Sequence, residues 1–350
     1  MISVRGVARA ALVPAALVLL AAGAARGDTH APWPTDWNNW NDPALWVTVG
    51  NPGNAADTRY ESPGYGAVAY TFNMGKFEVT AGQYTLFLNA VAKTDTYGLY
   101  NGHMGNISHG GCNIQQTGSW DNQSYTVAPD WANRPVNYVS WGDAARFANW
   151  LTHGQPTGTQ DASTTEDGSY YMNGATSDTA LMAVTRKTAA EGGRYYIPTE
   201  DEWYKAAYHK NDGTTDNYFD YATSSDSAPS NNLLNPDPGN NANFWESGFT
   251  IGSPYYRTEV GEFENSESPY GTFDQGGNDW EWNETVIGGT RGMRGAAVGS
   301  SVDSLPAAYR SASIPTGDSD GYGFRVVEVP EPATLALLAL GGLLALRRRR

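Results

Sequence analysis

Cysteine is all but absent: Cys112 is the only one in 350 residues. A single thiol excludes an internal disulfide, every cysteine-pair metal site and every Cys-x-x-Cys redox motif. Taken alone it reads as a small buried hydrophobe rather than a nucleophile. Histidine is scarce too, with His30, His103, His109, His153 and His209 and no pair at helical spacing, so helix-borne histidine metal motifs are missing. Basic residues number 22 against 37 acidic ones, for a net charge of −15, and seven of the arginines lie at the two ends. A middle of that sign excludes nucleic acid and anionic lipid as partners of its general surface. Charged residues make up only 17% of the chain, whereas glycine (40), tyrosine (21) and tryptophan (12) are plentiful. That composition suits a loop-rich domain whose irregular segments are pinned by aromatic packing.

Long hydrophobic runs are missing except at the ends. Arg5 and Arg9 precede an apolar stretch over 10–22, broken only by Pro14, and small residues follow with candidate cleavage after Ala24 or Gly27. This is the pattern of a signal peptide, expected over 1–27 and handled by signal peptidase. At the other end Pro330-Glu331-Pro332 precedes 14 apolar residues, 333–346, and four arginines, Arg347 to Arg350. The run is marginal for a bilayer-spanning helix, and the arginines hold its end on the cytoplasmic side. The succession resembles the PEP-CTERM sorting signal. The resemblance implies an exosortase-type processing enzyme as partner, Pro330, Glu331 and Pro332 as its processing residues, and delivery to the cell surface or extracellular matrix. Membrane contact is expected only through this tail, transiently. An ordinary tail anchor would account for the apolar run and the arginines but leave Pro-Glu-Pro without a role.

Between the ends, three segments have helical periodicity behind a cap: 81–92 after Thr80, 141–151 after Ser140, and 200–209 behind a capping box of Thr199 and Glu202. Strands are expected over 67–73, 76–79, 280–284, 292–298 and 323–329. The polar stretches 155–180 and 212–238 read as long surface loops, which in a compact domain are usually functional or mobile.

An ordered series of blocks runs through this middle. It comprises Phe77-Glu78-Val79-Thr80 with Gln83-Tyr84, Arg134-Pro135-Val136-Asn137-Tyr138-Val139-Ser140-Trp141, and Ile197-Pro198-Thr199-Glu200-Asp201-Glu202-Trp203. Gly276-Gly277-Asn278-Asp279-Trp280-Glu281-Trp282 follows, then Arg291 to Arg294, Ala308-Tyr309-Arg310 and Gly323-Phe324-Arg325-Val326-Val327. The series resembles the formylglycine-generating enzyme, or sulfatase-modifying factor, family over about 67–328. It implies an α+β, C-type-lectin-like fold with little regular secondary structure. The expected organisation is a signal peptide (1–27), an N-terminal extension (28–66), the family-like domain (67–328) and a sorting tail with a short transmembrane helix (329–350). Arg134, Arg310 and Arg325 are expected to pair with carboxylates such as Glu78, Glu200 or Glu202, because a buried guanidinium needs a fork-matched partner. Trp141, Trp203, Trp280 and Trp282 read as core, unless one lines a groove for peptide or sugar.

The segment 277–281 offers an amide oxygen, backbone carbonyls and a carboxylate, the hard oxygen ligands that calcium takes. The resemblance implies calcium there, held by Asn278 and Glu281, and a second site at Asn243 with the carbonyl of Phe244. The alternative is a turn in which Asn and Glu cap backbone groups. The family's oxidases hold copper with two cysteines, and soft thiolates are what Cu(I) requires. Here Ser300 stands near the first of those positions and no cysteine follows it. Copper is therefore not expected, and Ser300 and Trp280 become candidate binding residues instead. His103 and His109, with Cys112, offer only an incomplete set for iron. The expected function is an exported, surface-sorted binding or structural module of this family, stabilised by calcium and diverged from catalysis, with an extracellular peptide or glycan as ligand. The alternative is a formylglycine-generating or other metal-dependent oxidase acting on exported proteins.

Overall fold

In the computed structural model, residue 34 and residues 36–329 are described. The expected signal peptide, Pro330, Glu331 and Pro332, and the apolar run after them lie outside the described residues. Three helices begin where a side chain satisfies the first free N–H groups. Thr80 and Gln83 form a capping box for α1 (Ala81–Val91), which buries Tyr84, Phe87, Leu88 and Val91. The single turn α2 (Pro129–Ala132) leads on to α3 (Trp141–Thr152), opened by a box of Ser140 and Asp143 and buried on almost every side. After the short α4 (Asp178–Ala183), Thr199 and Glu202 open α5 (Glu200–Tyr208). Phe147 of α3 is the hub of the main core, its ring 5.2 Å from Phe87, 6.0 Å from Tyr84 and 5.3 Å from Phe324.

Two small sheets frame these helices. The first has the order β1 (Trp46–Val49), β2 (Phe72–Gly75), β10 (Val327–Glu328), β5 (Tyr195–Tyr196), and every pairing is antiparallel. The second has the order β8 (Ser311–Ser313), β7 (Thr290–Arg294), β6 (Trp280–Ile287), β9 (Tyr322–Gly323), with β6 and β9 parallel. A hairpin of β3 (Ile114–Ser119) and β4 (Asn122–Val127) stands apart from both. This is the expected α+β, loop-rich architecture. It departs from expectation in several places, and the expected strand 323–329 is split between β9 and β10 in different sheets. Residues 76–79 form no strand, because the chain bends after Gly75 and makes isolated bonds instead: Lys76 N–H donates to Leu45 O and Val79 N–H to Phe324 O. The strand β1 falls within 28–66, the stretch expected as an extension. The β3–β4 hairpin is polar except for Ile114, Tyr125 and Val127, which pack on the main core from one face, so its sequence carries little period-two signal.

The caps carry a pH signature. Burial pushes the Asp143 carboxyl up to about 6, against the hydrogen bonds that it accepts from Ser140 N–H and Oγ–H. A carboxyl whose folded pKa exceeds its unfolded one binds its proton more tightly in the native state. Its contribution to stability therefore falls as pH rises from about 4 through about 6. The melting temperature of Asp143→Asn, measured alongside the parent protein between about pH 4 and pH 7, is expected to change less across that window. Parallel curves for the two proteins would count against the assignment.

Candidate functional site

β7 ends at Arg294, and the chain then turns through Gly295 and Ala296 with φ of 106° and 73°. The next turn is tied to itself. Ser300 N–H donates to Ala297 O at 2.8 Å, and Ser300 Oγ accepts from Ala297 N–H at 3.1 Å. Residues 297–300 form one wall of a cavity of about 620 Å³, whose other walls include residues 108–110 and 319–322. Asn137 braces those two loops together: its Nδ2 donates to Gly110 O and to Asp320 O, both at 2.7 Å. Trp280, at the start of β6, lines the same cavity; its N–H donates to Gly321 O at 2.8 Å and its ring tilts against Tyr309 at 5.7 Å. Trp280 is thus the groove-lining tryptophan, whereas Trp141, Trp203 and Trp282 are buried in the core.

Two further aromatic residues of the lining are strained. Tyr138 and Tyr256 have φ of 57° and 56°, a conformation that bulky side chains rarely adopt and that persists only where the surroundings over-determine it. Tyr138 is held by its hydroxyl, which donates to His109 O at 2.6 Å, and by its N–H on Ser319 O at 2.9 Å. Arg257 adds charge to the lining. Its Nε donates to Asp279 at 2.6 Å and its Nη1 to Gly110 O at 3.1 Å. Arg257 Nη2 and Asp279 Oδ2 remain buried without hydrogen-bond partners. Burial pushes the Asp279 carboxyl up to about 7, although Arg257 pulls it down. Asp320 lies exposed at the cavity.

The expected calcium residues lie directly behind this cavity but are engaged otherwise. Asn278 accepts Val298 N–H on its backbone oxygen at 3.0 Å, and so supports the 297–300 turn. Asn278 Oδ1 accepts from Asn243 Nδ2 at 2.8 Å and from Thr258 N–H and Oγ–H at 3.2 Å each. Glu281 Oε2 accepts from Arg325 Nε at 2.6 Å and from Trp203 Nε1 at 2.8 Å, and its Oε1 from Arg325 Nη2 at 2.6 Å. Phe244 O accepts from Asn231 Nδ2 at 3.1 Å. Of the oxygens expected on calcium, Asn243 Oδ1 alone lacks a hydrogen-bond partner. As placed, these residues do not fit the six to eight oxygens that calcium takes; the cation against Glu281 is Arg325.

The remaining expectations resolve residue by residue. Arg310 pairs with Glu200 at 2.6 Å, as Arg294 does at 2.8 Å. Arg325 pairs with Glu281 rather than with Glu78, Glu200 or Glu202. Arg134 donates to backbone carbonyls of Asp130 and Arg257 and lies 4.0 Å from the Tyr255 ring centre. His103 and His109 do meet, with ring centres 5.3 Å apart. Cys112 is buried, and burial raises its thiol to about 11, well away from the thiolate range that reactive or metal-binding cysteines need. Among the described residues no group of three or more His, Cys, Asp or Glu side chains converges as a metal site. Tyr256, Arg257 and Asp320 were not foreseen at the site; they lie outside every sequence block, and nothing local to them signals it.

A family model described as "Sulfatase-modifying factor enzyme 1-like domain" matches residues 34–329, and one described as "PEP-CTERM protein-sorting motif" matches residues 328–350. Similar solved structures include CarF, 21% identical with a TM-score of 0.46, covering 82% of this chain and 98% of that one. Another is Treponema denticola variable protein 1, at 16% identity and a TM-score of 0.47, with 81% and 95% covered. PvdO from Pseudomonas aeruginosa is 19% identical with a TM-score of 0.42, with 81% and 91% covered. No curated protein matches the chain.

Proposed function

The chain belongs to the sulfatase-modifying factor enzyme 1-like family and ends in a PEP-CTERM sorting motif, and from that premise we propose that it is an exported, surface-sorted binding module. The observation that carries this reading is the chemistry of the cavity. Its lining presents aromatic faces from Tyr138, Phe249, Tyr256 and Trp280, the guanidinium of Arg257, and no thiol. Aromatic faces with a few fixed polar groups are what a recognition cavity needs, and an extended extracellular peptide or a glycan suits both. Copper chemistry of the family's kind needs soft ligands, and the one cysteine is buried, protonated and outside the lining. Ser300, near the position of the first cysteine, uses its Oγ on Ala297 N–H.

The test is incubation of the copper-treated protein, in oxygen, with a sulfatase-type Cys-x-Pro-x-Arg peptide, read by mass spectrometry. No aldehyde is expected. Catalytic formation of the aldehyde, abolished by removing copper, would replace this reading with an oxidase.

A further inference from the structure

Among the described residues the last backbone hydrogen bond, from Val329 N–H to Arg194 O, lies one residue before Pro330-Glu331-Pro332. β10 is an interior strand, with Val327 paired to Met74 on one side and to Tyr196 on the other, and Val326 and Val327 are buried. Glu328 accepts from Asn73 Nδ2 and from Arg194, both at 2.9 Å, and Val329 N–H donates to Arg194 O at 3.1 Å. Pro330 follows at once, and the apolar run starts at residue 333. Three residues reach at most about 10 Å. An enzyme that reads the motif as an extended strand must therefore meet the folded domain, or else pull β10 out from between two neighbours. Freeing β10 exposes two buried valines and the centre of a four-stranded sheet, which belongs to the high-cost end of local opening.

Next to this exit lies an open groove of about 430 Å³, lined by Thr152, Ala189, Gly193, Arg194, Glu328 and Val329. We propose that this groove is the face on which the sorting enzyme seats itself against the folded domain while it processes Pro330-Glu331-Pro332. The groove borders the last residue before Pro330-Glu331-Pro332, and the short chain beyond it brings an enzyme that leaves β10 paired up against this end of the domain. Gly192, where an added β-carbon would meet nothing within 4 Å, leaves one side of the groove free of a side chain, so a loop of the enzyme reaches the peptide beside Val329 while β10 stays paired.

The experiment uses the full chain in a host that carries the sorting pathway, with the processed and unprocessed forms followed after a pulse of synthesis. Ala189→Trp fills the groove from a part-exposed position. It is expected to slow processing by about tenfold, equivalent to a loss of about 1.4 kcal/mol in docking. A ten-residue Gly/Ser spacer between Val329 and Pro330 is expected to restore processing of that variant, because the domain no longer has to abut the enzyme. Limited proteolysis of the unprocessed variant checks that it is folded. Normal processing of Ala189→Trp, or a folded variant that the spacer fails to rescue, overturns the proposal. Absence of processing of the parent chain removes the sorting reading and the proposal with it, whereas the binding reading of the cavity is untouched by either result.

Discussion

Glu281→Ala is expected to lower the stability of the domain by about 3–5 kcal/mol, the cost of leaving one member of a buried ion pair alone. Both partners are fully buried, and the pair is bidentate at 2.6 Å. Arg325 would keep hydrogen bonds only to the backbone carbonyls of Gly75, Lys76 and Phe273, with Glu78 and Asp274 as the other carboxyl groups near its charge. The Nε1–H of Trp203, buried in the core, would lose its acceptor as well. Glu281→Gln retains an acceptor for Trp203 and loses the charge, so it should fall between the two proteins in a urea or thermal melt. The deficit of Glu281→Ala should persist in calcium and in chelator alike, because the cation it serves is Arg325. A deficit that disappears once calcium is removed from both proteins would return Glu281 to the role of a calcium ligand.

Gly277→Ala is expected to cost about 3 kcal/mol or more, through strain at an unusual φ and the loss of buried hydrogen bonds. Gly277 has φ of 105°, and a β-carbon there would lie 2.4 Å from Asn243 O and 3.0 Å from that residue's backbone nitrogen. Those atoms are main chain and cannot swing aside. Making room opens the bridge between Asn243 and Gly277, and with it the bonds from Asn278 N–H to Asn243 O and from Gly277 N–H to Gly295 O. The same loop supports the 297–300 wall through Val298, so the damage should spread to the cavity. Thermal melting together with limited proteolysis across residues 243–250 measures both effects. Gly299→Ala is the control, since nothing lies within 4 Å of its added carbon. Equal melts for the two variants would mean that the Gly277 approach is not under constraint.

Parts of this site were legible beforehand and parts were not. Trp280 and Ser300 were singled out, and both line the cavity. Asn278 and Glu281 were singled out as oxygen donors; both are buried acceptors, but their donors are N–H and O–H groups of the protein. A carboxylate facing an ion and one facing a guanidinium look alike in a sequence, since either needs a buried acidic residue beside polar neighbours. Arg325 had several acids as equal candidates, and a separation of 44 residues along the chain does nothing to favour Glu281. Tyr256 and Arg257 sit in a polar stretch with no periodicity, so only their position in space reveals them.

By itself, the sequence determined what depends on near neighbours. The caps at Thr80, Ser140 and Thr199 place the starts of α1, α3 and α5, because a side chain three residues from its partner N–H needs no other part of the molecule. The single cysteine likewise excluded paired-thiol chemistry without any coordinates. Tertiary structure alone decided which buried arginine meets which acid, that a polar stretch pairs as the β3–β4 hairpin, and that residues from 108, 138, 256, 280, 300 and 320 share one cavity. Those outcomes turn on long-range closure. Each such contact has many rivals of similar local energy, and only the packing of the whole chain around its aromatic core selects among them.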